Sequence, residues 1–186
     1  FLGGGPQNYQ MTPQFYSWAN YDGEHYISIS IHGYKFLEQA FFPVYPMLIS
    51  FFSKPFSSDI YSASVYSILV GLLISNIAFY FALVYLWHLL RIDYSSKIAY
   101  LTVIILLIFP TSFYFGAVYN ESLFLLFSVL SFYCFRKSRI KLASFLGAIS
   151  SATRIFGLII LPSLLLEAWK QREKKKIFFW IFLIPA

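Results

Sequence analysis

From Tyr61 to Leu90 the chain runs through about 25 nearly uninterrupted apolar residues, enough as a helix to cross roughly 30 Å of hydrocarbon. No other stretch constrains the fold as strongly. Backbone N–H and C=O groups in lipid need internal partners, so a single segment of this kind has to be helical. The composition points the same way, with 59% hydrophobic and 12% charged residues, far from the roughly 45–50% and 25% of a soluble domain. We read the chain as a membrane protein. The 22 phenylalanines and 15 tyrosines suit lipid contact, helix packing and the membrane interface, but they name no function.

The net charge of +6 raises the question of nucleic acid, and the placement of the charge answers it. All but Lys35, Lys54 and Arg154 of the 14 basic residues fall into three clusters: Arg91 with Lys97, Arg136 to Lys141, and Lys170 to Lys176. Each flanks an apolar segment, the pattern of cytoplasmic loops. A nucleic-acid face would interleave stacking aromatics with these cations, and the sequence shows no such arrangement. Lone Cys134 lies in an apolar run and reads as a small packed side chain.

These clusters set a topology. The long apolar segment ends at His88 and Arg91, so its C-terminus is expected on the cytoplasmic side. Lys97 to Val118 crosses back, with Pro110 near its outer end, and Glu121 to Phe135 returns to the next basic cluster. Thr111 to Ser122 then lies on the same outer side as Asp22. Between the last two clusters an even number of passes must fit into about 28 residues, too few for two full spans of about 20. The spacing predicts a short helical hairpin, Leu142 to Ala152 going in and Phe156 to Trp169 coming out, with Thr153 and Arg154 at the bend. The expected fold is an all-α polytopic membrane protein: residues 1–60 form an extracytoplasmic or lumenal loop with short interfacial helices, and residues 61–186 a transmembrane bundle. The chain starts at Phe1 and stops inside an apolar run that begins at Ile177, so it is expected to be a fragment with membrane helices missing at both ends.

Residues 1–17, with GGG and two prolines, read as loop. The stretch from Trp18 to Pro46, WANYDGEHYISISIHGYKFLEQAFFPVYP, then gathers Asp22, Glu24, His25, His32 and Glu38 ahead of the first long apolar run. Ile27, Ile29 and Ile31 alternate like a strand, whereas Asp22, His25, Ile29 and His32 follow helical spacing. An open strand edge at a membrane is costly, so a short interfacial helix is expected between Tyr21 and Tyr34, with Gly33 or Gly23 marking its ends. Phe41 to Phe52, broken by two prolines and too short to span, reads as a second interfacial segment, followed by a turn from Lys54 to Asp59.

Each polar residue has a plain reading beside a functional one. Asp22 serves as a helix N-cap or as a catalytic acid, and Glu24 as a partner of the helix dipole or as a site residue. His25 and His32 are ordinary interfacial side chains or ligands. No recognised ligand spacing supports a metal, and no cofactor is expected. Asn120-Glu121-Ser122 is formally a glycosylation sequon, too close to the membrane to be used. Arg154 would be buried at the membrane's depth, where an unpaired charge costs from a few to more than roughly ten kcal/mol. It therefore faces inward, either in an internal pair with Glu121 or Asp22, or gripping a carboxylate or phosphate with its guanidinium fork.

The segment ANYDGEHYISISIHGY followed by AFFPVYP resembles the first extracytoplasmic loop of the PIG-V family of GPI mannosyltransferases, with its Trp-Asp-x-x-His/Tyr core, His-Gly-Tyr and Phe-Phe-Pro. FPTSFYFGAVYNESLFLLFS and SATRIFGLIILP resemble later helices of that family in the same order. Tyr21 stands where the family usually has Trp before the acid. The family is in turn similar to the GT-C glycosyltransferases, helical enzymes that take sugar from a polyprenyl-phosphate carrier at the outer or lumenal membrane face.

The resemblance implies a GT-C-like bundle, a polyprenyl-phosphate-mannose donor and a glycolipid or other hydroxyl acceptor. It also implies that Asp22 lies at the catalytic centre and that Arg154 grips the carrier phosphate. The chemistry fits: transfer needs a carboxylate to accept the acceptor's proton and a cation for the charge growing on the departing phosphate. Glu24, His25, His32, Tyr119 and Glu121 would shape the sugar or acceptor pocket of an inverting enzyme. Two other readings share these features. A transporter or flippase would carry an inverted repeat, which the sequence does not show; a noncatalytic scaffold subunit would use Asp22 only as a cap.

Overall fold

The computed structural model describes residues 13–170, and these are helical throughout, joined by turns and 3₁₀ segments. The early part of the expected loop (1–12), most of the last basic cluster and the apolar run from Ile177 lie outside the described residues. In chain order the helices are α1 (Pro13–Tyr16), α2 (Asp22–His32), α3 (Val44–Ser53), α4 (Ile60–Leu90), α5 (Ser96–Ile108), α6 (Glu121–Arg136), α7 (Ile140–Thr153) and α8 (Ile160–Lys170).

The helix expected between Tyr21 and Tyr34 forms, and the strand-like alternation of Ile27, Ile29 and Ile31 is absorbed into it. Tyr26, Ile27 and Ile29 are all buried. Gly33, at φ 76°, ends the helix in a conformation that suits a residue without Cβ. The segment after it becomes α3, whose ten residues span about 15 Å, well short of a bilayer. A 3₁₀ turn over Lys54–Phe56 follows.

Helix α4 has 31 residues and is the one helix among those described that is long and apolar enough to cross a membrane. Leu73, Ile77, Tyr80 and Phe81 point outward along it, as lipid-facing residues would. The crossing expected from Lys97 to Val118 is shorter than its sequence suggests. Helix α5 stops at Ile108, and Pro110 opens a 3₁₀ segment through Phe115. Proline supplies no N–H and restricts the residue before it, so Phe109 turns extended (φ −59°, ψ 135°).

The chain divides into two compact units, 13–77 with 113–122 and 78–112 with 123–170 in their described parts. The first holds Tyr45, Ile49, Ile68 and Val118 fully buried. The second is built on the hairpin. Cys134, Phe135, Ala143, Ile160 and Leu164 form its core, so the lone cysteine is a packed side chain as expected. Ser131 Oγ donates to the Ala143 carbonyl (2.7 Å), and Ser128 and Ser150 share a hydroxyl contact of 2.9 Å, fastening α6 to α7. The hairpin bends where predicted: α7 ends at Thr153, Arg154 is extended (φ −159°, ψ 140°), and a 3₁₀ turn over Ile155–Ile159 leads into α8. A Cβ on Gly157 would strike the Ser150 and Ser151 backbone at 2.5 Å, so the tight return depends on that glycine.

Candidate functional site

The loop entering α2 is shaped by its own backbone. Ala19 N–H donates to the Tyr16 carbonyl (3.0 Å), Gly23 N–H to Asn20 (3.1 Å) and Glu24 N–H to Tyr21 (3.1 Å). The first turn of α2 therefore begins one residue earlier than a cap at Asp22 requires. Tyr21 takes the cap position at φ 53°, a conformation strained for a bulky residue, and makes no side-chain cap. Asp22 becomes the first helical residue. Its carboxylate is exposed, committed to no cap, and favoured there by the helix dipole.

The segment 113–122 packs directly on this loop. Val118 N–H donates to the Trp18 carbonyl (2.9 Å), and the Tyr119 hydroxyl donates to the Asn20 carbonyl (2.9 Å). Any Cβ on Gly23 would lie 2.9 Å from the Val118 carbonyl oxygen, so the approach needs glycine. Side chains of the same unit hold the segment from behind. Ser75 Oγ donates to the Tyr119 carbonyl (3.1 Å), Asn76 Nδ2 to Gly116 (3.1 Å) and Ser122 Oγ to Phe115 (2.6 Å). Ser75 in turn meets the hydroxyl of buried Tyr45 at 2.7 Å.

Tyr119 is thereby brought beside the acids. Burial, and next the neighbouring Asp22 carboxylate, hold its phenol well above the ordinary value, with Tyr114, Glu121 and Glu24 adding to the effect. It stays a proton donor at any physiological pH. Glu24 is only 8% exposed, and its Oε1 meets no hydrogen-bond partner among the described residues. Burial pushes its carboxyl up, against the opposing pull of His25 and of a backbone hydrogen bond from Tyr21. That bond is half of a capping box, a third-position glutamate reaching back to the cap residue.

In front of Tyr119 opens a cleft of about 330 Å³, within the range of small-molecule sites. Trp18, Tyr21, Phe113, Tyr114 and Tyr119 give it aromatic walls, and Asn20 a polar edge. The Phe113 and Tyr114 rings lie 4.1 Å apart, and Tyr114 meets Tyr119 edge-on at 5.1 Å.

The remaining sequence-derived site residues fall at different places. His25 stacks on Phe41 (4.5 Å) and lies 3.6 Å from Glu38, whose other oxygen accepts from the Lys35 N–H (2.8 Å). His32 is exposed in the last turn of α2, about 15 Å along the axis from Asp22. Glu121 begins α6 and acts on Tyr119. Arg154 belongs to the second unit, at the hairpin bend, with its guanidinium 5.9 Å from the Phe156 ring. Sequence reasoning did not single out Trp18, Asn20 and Tyr114 as lining residues or Glu38 as the partner of His25. A density of aromatics on both sides of the future contact was the available signal for Trp18 and Tyr114, and no local pattern marked Asn20.

Comparison with known proteins agrees with the motifs. No solved structure matches the chain. GPI mannosyltransferase 2 of Schizosaccharomyces pombe (strain 972 / ATCC 24843) is 29% identical over 146 residues, which cover 77% of this chain. The match spans 30% of that relative's length. Residues 8–172 match the family described as Mannosyltransferase (PIG-V), and the chain belongs to that family.

Proposed function

We propose that this chain carries the catalytic face of a multi-pass membrane mannosyltransferase of GT-C type. It moves mannose from a polyprenyl-phosphate carrier to a hydroxyl of a glycolipid or similar acceptor, with inversion at the anomeric carbon. Asp22 takes the acceptor's proton, and Arg154 binds the carrier phosphate and stabilises it as it leaves. The Asp22 loop faces the extracytoplasmic or lumenal side, opposite the basic clusters.

The observation that carries this reading is the state of Asp22. Its carboxylate is spent neither on a cap nor on an ion pair among the described residues, and it acts on Tyr119, which lines a walled cleft together with Tyr21, the residue before Asp22. A carboxylate held ready but unengaged is what a general base requires. Family membership supplies the reaction class, and the extended break at Arg154 supports its role, since helix breaks at membrane depth are tolerated where they line a cavity. Glu24, His25, His32, Tyr119 and Glu121 complete the proposed sugar and acceptor surroundings, with His25 positioned through Glu38 and Phe41.

The test is transfer by the full-length protein from polyprenyl-phosphate-mannose to a panel of acceptors, beside Asp22→Asn. The expected loss is about 10²- to 10⁴-fold in kcat with the fold intact. Near-normal transfer by Asp22→Asn would remove the base assignment. Movement of the carrier across the membrane without a glycosylated product would replace transfer by transport.

A further inference from the structure

The aromatic cleft in front of Tyr119 uses residues that the proposed chemistry leaves without a role. Trp18 and Tyr21 are 51% and 69% exposed, although the backbone of each is engaged in hydrogen bonds. Exposed Trp and Tyr at a membrane surface commonly serve as anchors, lying flat at the headgroup level. Three features set this pair apart. The rings line a concave site rather than a convex belt. The backbone carrying them is tied to the 113–119 segment through the Val118–Trp18 and Tyr119–Asn20 hydrogen bonds, both 2.9 Å. Tyr21, moreover, is kept at φ 53°, a backbone strain that an anchor does not need.

Aromatic faces with a polar edge recognise a particular chemistry. The C–H bonds on one face of a pyranose carry partial positive charge and pack on the negative face of an aromatic ring, while the ring's hydroxyls need hydrogen-bonding groups at the rim. Asn20 supplies such a group, since its Nδ2 is engaged with the Ser17 carbonyl (3.3 Å) and its Oδ1 accepts from none of the described residues. We infer that this cleft is a pyranose subsite in which Trp18 and Tyr21 offer stacking faces, Asn20 a hydroxyl contact, and Tyr114 and Tyr119 the back wall. The inference rests on the mannosyl-transfer reading and adds where a sugar ring sits. The ring is either the transferred sugar or a sugar of the acceptor.

The full-length protein is assayed as wild type, Trp18→Ala and Trp18→Phe. Trp18→Ala is expected to raise KM about three- to tenfold for one substrate, while Trp18→Phe, which keeps a ring face, restores most of it. A rise for polyprenyl-phosphate-mannose places the transferred sugar in the cleft, and a rise for the acceptor places the acceptor's sugar there. Separately, methyl α-mannopyranoside is expected to change tryptophan emission in the wild type but not in Trp18→Phe, a readout that needs no turnover. If both KM values stay within twofold and the emission change is absent, or is the same with sugar-free polyprenyl phosphate, the subsite is overturned and the rings are anchors. If the wild type transfers nothing, the transfer reading fails, and the emission change alone decides the subsite.

Discussion

The two compact units solve different problems with the same helical material. In the first, residues 116–120 between the 3₁₀ segment and α6 are irregular, and helical N–H groups do not serve every carbonyl there and at the 3₁₀ segment's end. Side chains do so instead: Ser75 for Tyr119, Asn76 for Gly116 and Ser122 for Phe115, while Tyr119 performs the same service for Asn20. In the second unit the difficulty is bringing helices close together. Small residues on α7 answer it, with Ala143, Ser144, Gly147 and Ser150 buried and hydroxyls of α6 reaching across. Irregular backbone is where function can be placed, and it is stable in apolar surroundings only when each carbonyl finds a donor. The polar side chains of the first unit are thus the condition for having an Asp22 loop at all.

The sharpest way to break this comparison is to add one methyl group to each unit. Gly157→Ala drives Cβ into the backbone of Ser150 and Ser151, which cannot swing aside, and should cost about 1–3 kcal/mol or more. Gly23→Ala meets a single carbonyl oxygen at 2.9 Å and gains up to about 1 kcal/mol of helix propensity. Thermal unfolding in detergent should show the first variant far less stable than the second. Equal losses would mean that close approach matters as much in the loop unit as in the hairpin.

Removing one hydroxyl tests the polar side of the comparison. Tyr45→Phe deletes the group between the Gly71 carbonyl (3.0 Å) and Ser75 Oγ (2.7 Å) without changing the buried ring. The expected cost is about 0.5–1.5 kcal/mol, because Ser75 keeps its bond to Tyr119. Combined with Ser75→Ala the loss should be less than the sum, since both variants break the same contact. Strict additivity would show that the hydroxyls act independently, not as one relay supporting Tyr119.

How far these regions could be read from sequence follows the same division. The hairpin was legible because charge clusters and a residue count allowed only a short return, and Arg154 marks the bend. Helix α2 was legible from the spacing of Asp22, His25, Ile29 and His32 against an alternating isoleucine pattern. The start of α2 was not. Whether Asp22 or Tyr21 caps the helix depends on a positive φ at Tyr21, a conformation that tyrosine does not favour and that tertiary contacts impose. The end of α5 at Ile108 was half legible, since Pro110 was visible but the return of 113–122 to the Trp18 loop was not. That contact joins residues about a hundred positions apart, and no local pattern encodes it.

The smallest effects are electrostatic, and they should carry opposite signs in the two units. Burial holds the Glu24 carboxyl above its ordinary value of 4.5, so the folded state binds that proton more tightly than the unfolded one. The cost of ionising it is absent below pH 4.5 and grows as pH rises through the raised value. Glu24→Gln keeps an acceptor for the Tyr21 amide and carries no charge. It should therefore stabilise the protein by less than about 1 kcal/mol at neutral pH, with the gain fading toward pH 4.5. Asp93 is the counterpart in the second unit. The Arg136 guanidinium donates two hydrogen bonds to it (2.7 and 2.8 Å) and holds its carboxyl below the ordinary 3.8. That contribution is present above pH 3.8 and lost below it, so Asp93→Asn should destabilise slightly at neutral pH and match the wild type in acid. Added salt should shrink the Asp93 effect, because that pair is exposed and screened, and leave the buried Glu24 effect nearly unchanged. Like signs, or an Asp93 effect indifferent to salt, would mean that the two units do not differ in how they treat charge.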